Sequence, residues 1–181
     1  MVAFGFFFKR MLIIRLCFLC TSLILLMSVK AYGQDSTKVL STKEITLLLP
    51  DYVKGFQKSG EPVSKVIKVG GIQYSLCDKR FLKGDQRIKF LLFDFKEAQI
   101  MYSQATKKWN LATPIVTDSL VQRPLVMDNC TGWETGNRKL SSSQIFLGIY
   151  NRYFLTIEGE NVELEKLKTV LQEVDMSKFP R

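Results

Sequence analysis

Three stretches with the residue pattern of strands, divided by glycine turns, constrain what this chain can fold into more than any other feature. They are Val63–Val69 (VSKVIKV), residues 72–82 and residues 87–95, separated by Gly70-Gly71 and by Lys83-Gly84-Asp85-Gln86. A period of two sends alternate side chains to opposite faces of a strand, and a short glycine-bearing loop joins antiparallel neighbours. In the second stretch Ile72, Tyr74 and Leu76 alternate with Gln73 and Ser75, which predicts a strand with one buried face. Residues 88–93 are apolar on both faces apart from Lys89, so the third strand is expected inside the sheet.

The rest of the chain completes this pattern. Over residues 97–110 the period lengthens, with Ala98, Met101, Tyr102, Ala105 and Trp109 three or four apart, as on one face of an amphipathic helix. Residues 119–127 and 130–135 read as strands, and Pro124 demotes the first to an edge position. A hairpin follows from residues 144–150 and 153–158 around an Asn151-Arg152 turn. Asn161 then caps a helix over 162–174 whose Leu164, Leu167, Val170, Leu171 and Val174 form one stripe. Earlier, Ser41-Thr42-Lys43-Glu44 has the form of a capping box, and Pro50 limits its helix to a turn or two. The expected fold is α+β: an antiparallel sheet, meander plus C-terminal hairpin, covered by two amphipathic helices in a single domain over residues 41–181.

The N-terminus has a different character. Lys9, Arg10 and Arg15 precede a 14-residue apolar run from Leu16 to Val29, closed by Lys30 and by Ala31-Tyr32-Gly33 with small residues at −3 and −1. This is the layout of a secretory signal, expected to be cleaved before Gln34, with Met11 as an alternative start. The run falls short of the ~20 residues of a spanning helix. Cys17 and Cys20 sit inside the run without the preceding small residue that a lipidation site needs. Residues 34–40 are expected to be a flexible tether, and the mature protein periplasmic or secreted.

Discounting residues 1–33 changes the charge balance, since only 22 of the 26 basic residues remain against all 17 acidic ones. The remaining cations are dispersed, which argues against nucleic acid and leaves peripheral contact with an anionic membrane surface open. Of four cysteines only Cys77 and Cys130 are left, either an oxidised pair in an exported protein or two buried small apolar residues. The absence of histidine removes the usual general base, the Ser-His and Cys-His nucleophile pairs and the commonest metal ligand. No metal, cofactor or catalytic residue is expected. Carboxylates could still act alone, with Asp94 and Glu97 at a strand end and Glu158, Glu160, Glu163 and Glu165 where the last hairpin meets the last helix.

Binding is the stronger expectation. Trp109, Trp133, Tyr150, Arg152 and Tyr153 are the candidate contacts for a ligand or partner, because aromatic and arginine side chains carry binding surfaces. The implied occupant is a small apolar ligand, a lipid or an envelope protein. A carboxylate-dependent enzyme acting on envelope glycans is the alternative, and an interaction module at an anionic membrane surface the third reading.

The order of pieces also resembles a known group. Leu49-Pro50 with Gly55-Phe56, Lys83-Gly84-Asp85, Gly132-Trp133-Glu134 and the run Arg152 to Gly159 (RYFLTIEG) are similar to pieces shared by a family of uncharacterised exported bacterial proteins. The layout is more distantly similar to the Mog1/PsbP-like α+β architecture. The resemblance implies a fold and no activity, and Cys77 and Cys130 stand outside its shared pattern.

Overall fold

In the computed structural model, residues 38–181 apart from 108, 110, 111 and 129 are described; the expected signal, the Met11 start and residues 34–37 of the tether lie outside them. Helix α1 (Thr42–Leu48) leads into strands β1 (Gln57–Lys58), β2 (Val63–Val69), β3 (Ile72–Lys83) and β4 (Gln86–Glu97). Helix α2 (Gln99–Lys107) then carries the chain to β5 (Ile115–Val116), β6 (Leu120–Met127), β7 (Cys130–Asn137), β8 (Ser142–Ile149) and β9 (Tyr153–Glu160). Helix α3 (Leu164–Leu171) and a 3-10 turn at Met176–Lys178 follow.

All pairings are antiparallel, in the order β1-β3-β4-β9-β8-β7-β6-β5, with β2 sharing the outer edge of β3 with β1. Two meanders, β2–β4 and β5–β9, thus meet at the β4–β9 seam. The α+β reading holds, and β4 lies in the interior as its two-sided apolarity required. Pro124 is tolerated because β5 pairs only Gln122 and Val121, so no neighbour asks for the missing N–H.

Alternation divides the sheet into two faces. The inner face is sealed: Phe81, Ile88, Phe90, Leu92, Ile145, Leu147, Leu155 and Ile157 are buried under Ile45, Leu48 and Leu49 around α1, Leu167, Val170 and Leu171 of α3, and Phe179. Each such side chain contributes about 1.5–3 kcal/mol by leaving water. Lys79 also points inward, where its Nζ donates to the Leu49 carbonyl at 2.9 Å and to Asp51 Oδ1 at 2.7 Å, capping the C-terminal end of α1 with a cation. The capping box at Ser41 and Glu44 forms as its spacing predicts.

Three expectations are corrected, and the choice left open for the cysteines is decided. The last part of the tether is docked: Val39 and Leu40 are buried, so the domain begins before Ser41. The final hairpin turns one residue earlier, with Tyr150 and Asn151 at φ 52° as the two left-handed positions and Arg152 directed inward. Asn161 adopts φ 55° and does not cap α3, whose N-cap is Glu163. Cys77 and Cys130 are free and buried. They sit on β3 and β7 with β4, β9 and β8 between them, so four steps of about 4.8 Å part them along the sheet, beyond the reach of a disulfide.

Candidate functional site

On the outer face, backbone register places side chains in rows that cross the sheet. Leu76, Phe93, Phe154 and Gly148 form one row, and Leu91, Thr156, Phe146, Trp133 and Pro124 the next. The two rows beyond are polar: Arg80, Lys89, Glu158 and Gln144, then Arg87 with Glu160. The outer face is therefore an apolar ribbon bordered by a charged one.

Aromatic rings make up most of the ribbon. Phe93 stacks on Phe95 with centroids 5.2 Å apart, Tyr74 leans on Phe95 at 5.7 Å, and Phe154 lies between Phe93, Phe146 and Trp109. Trp109 is nearly parallel to Phe154, 15° off plane at 5.9 Å. Helix α2 covers the end of the ribbon over β4 and β9 and reaches β8 at Gly148, where a Cβ would run into the Tyr102 hydroxyl. Glycine there allows the helix to approach. Tyr74, Leu76, Leu91, Phe93, Phe146 and Phe154 are half-buried, with Tyr74, Phe93 and Phe154 packed against the cluster of Phe95, Ala98 and Tyr102. Thr156, in the middle of the second row, is buried with a hydroxyl that has no hydrogen-bond partner.

The acids named from sequence are engaged in pairs. Asp94 accepts Arg152 Nε at 2.8 Å and Nη2 at 2.7 Å, and the Leu40 N–H at 2.8 Å, while Arg152 also donates to the Lys38 carbonyl. This buried fork clasps the chain entering the domain. Glu97 accepts the Val39 N–H, Glu158 pairs with Lys89 at 3.3 Å, and Glu160 with Arg87 at 2.9 Å. Glu163 and Glu165, the latter paired with Lys168 at 3.4 Å, stand at the start of α3, where they border a cleft of about 640 Å³. That cleft is lined by Arg123, Arg138, Asn137, Asn161, Asp85 and Asp118 over a floor of Val121, Val162 and Leu164. It lies on the α3 side of the sheet and shares no residue with the aromatic ribbon. Behind it, the buried carboxylate Glu134 accepts Arg123 Nε at 2.5 Å, which holds the guanidinium even more firmly charged.

Of the five expected contacts, Trp109, stacked on Phe154, and Trp133, buried opposite Phe146, lie on the outer face. Tyr150 stands at the hairpin turn beneath the Arg181 guanidinium. Arg152 and Tyr153 are buried: Arg152 lies 4.7 Å above the Tyr153 ring, which meets Phe179 edge-on, and burial drives the Tyr153 phenol far up from its ordinary value.

Comparison with known proteins leaves the family open. No family model and no curated protein matches the chain. A solved structure described as a GTP binding regulator from Thermotoga maritima is similar at 16% identity and a TM-score of 0.43, covering 75% of this chain and 87% of that one.

Sequence reasoning missed the ribbon because its members are scattered. Phe93, Phe146 and Phe154 come from three strands of two meanders and meet only through the β4–β9 and β8–β9 registers. The signal that could have found them is a large apolar residue at outward positions, such as Leu91, Phe93 and Phe154, of strands whose inward positions are already apolar. Arg152 and Asp94, 58 residues apart, carried no local signal for pairing.

Proposed function

We propose that this protein is an exported, non-enzymatic binding or accessory module of a bacterial envelope that receives an apolar ligand, a lipid chain or apolar partner side chains on its outer aromatic ribbon. The observation that carries the reading is that α2 covers only one end of a continuous apolar surface, leaving large rings half-buried. Small soluble domains rarely leave such a surface without an occupant. Engagement of Asp94, Glu158 and Glu160 by arginine or lysine weighs against free carboxylate chemistry. Export rests on the basic residues, apolar run and small residues of the N-terminus.

The chain has two tryptophans, and both lie on the outer face, so intrinsic fluorescence reads this surface directly. Titration with a medium-chain fatty acid should give a saturable blue shift, weakened about tenfold by Phe154→Ala. An emission spectrum that never changes, for the acid and for a short apolar peptide alike, overturns the ligand reading. Fractionation followed by N-terminal sequencing tests export, with Gln34 the expected first residue.

A further inference from the structure

The two edges of the sheet are protected unequally. At one end β5 is two residues long and follows Pro114, devices that blunt an edge against pairing. At the other, β2 presents seven consecutive residues without proline or bulge, and among the described residues no strand pairs its outer side. Val63, Val66 and Val69 are 49%, 39% and 66% exposed, and Leu47 of α1, 59% exposed, lines the surface near Pro62 and Ser64 at the start of the strand. Three of the large exposed apolar side chains thus lie along one unpaired edge.

We propose that β2 pairs antiparallel with β2 of a second copy of this chain, about a two-fold axis through the Val66 pair. The register follows from the sequence of the strand. Pairing all seven residues requires Val66 opposite Val66, which sets Val63 opposite Val69, Ser64 opposite Lys68 and Lys65 opposite Ile67. No lysine faces a lysine, and each lysine stem lies against a neutral neighbour. Moving the axis by one residue to Lys65 places that cation against itself, and moving it to Ile67 leaves Val63 and Ser64 opposite Gly71 and Gly70 beyond the strand. In the seven-residue register, faces also match. Ser64, whose hydroxyl meets Thr46 of α1 at 2.6 Å, marks the inner side, and Ile67, opposite Tyr74 of β3, the outer. The dimer would join two sheets into one, and its outer face would continue from one aromatic ribbon to the other.

The test uses the full-length gene product in the form in which it accumulates in the expressing cell. Sedimentation from about 1 µM to about 200 µM should show the mass rising toward twice that of one chain. Val66→Lys, which sets like charges across the axis, should weaken association about fivefold or more while leaving the far-ultraviolet spectrum and thermal midpoint of the monomer in place. Under mild oxidation Val66→Cys should form an intermolecular disulfide, since residues directly opposite on antiparallel strands lie within reach. Val63→Cys, opposite Val69, should not. A monomer throughout the concentration range, no cross-link at position 66, or equal cross-linking at 63 and 66 overturns the proposal.

Discussion

The two faces of one sheet behave as different materials. Along β9, Tyr153, Leu155 and Ile157 point inward and are sealed, whereas Phe154 and Glu158, from the same eight residues, point outward and remain half-buried. Helices α1 and α3 and the C-terminal turn close the inner face, while α2 reaches only one end of the outer face. What differs is coverage, for at the Phe93–Phe154 end of the β4–β9 seam both faces of the strands are apolar. Closed packing makes a core, and the same chemistry left half-covered makes a surface that can bind.

The sharpest way to break this comparison is at the clasp where both faces end. Asp94→Ala leaves the Arg152 guanidinium buried without its carboxylate and is expected to cost about 3–5 kcal/mol in urea unfolding. Glu158→Ala, in the exposed outer pair with Lys89, should cost less than about 1 kcal/mol. Equal losses would mean that burial does not separate the two pairs.

Next come matched truncations within the sheet. Leu155→Ala opens a cavity on the inner face, with an expected loss of about 2–5 kcal/mol. Leu91→Ala, on the half-buried outer face, should lose only about 1 kcal/mol, because neighbours and water can fill the space. A Leu91 loss matching that of Leu155 would make the outer face a second core.

Gly148→Ala separates α2 from the sheet. The added methyl meets the Tyr102 hydroxyl, so a loss of about 1–3 kcal/mol is expected, with amide exchange accelerated in α2 and unchanged in the inner residues of β9. Uniform acceleration through both would show that α2 belongs to the core unit.

The smallest effects belong to the polar ends of α1. Ser41→Ala removes the cap and should cost about 1 kcal/mol. Hydrogen bonds from Ser41 hold the Glu44 carboxyl below its ordinary value, and the Lys79 ammonium does the same for Asp51. Lowered folded-state values mean stability that is present above the unfolded values near pH 4 and lost as pH falls through the folded ones. The thermal midpoint should therefore drop on acidification below about pH 4, less steeply in Asp51→Asn. Identical acid profiles would remove Asp51 from that account.

Local patterns made much of the fold legible. The strand Val63–Val69 and its Gly70-Gly71 turn, the capping box at Ser41 and the interior position of β4 all follow from period, turn chemistry and two-sided apolarity. Little of the candidate site was legible. Trp109 and Trp133 could be named as contact candidates, but that Trp133 is buried and shares a face with Trp109 depends on a register between strands distant in sequence. Lys79 reads as a surface cation and is buried, because an inward position on β3 happens to end beneath the carbonyls of Leu49 and Pro50.

The alternation of residues 63–95 alone determined that this chain builds an antiparallel sheet with an apolar face, since side-chain direction in a strand is set by backbone geometry. Which of its two apolar faces became core was decided by where α1, α2 and α3 come to rest. That placement depends on contacts such as Asp94 with Arg152 and Tyr102 against Gly148. These form only when strands far apart in the chain are already side by side, so no local window of sequence contains them.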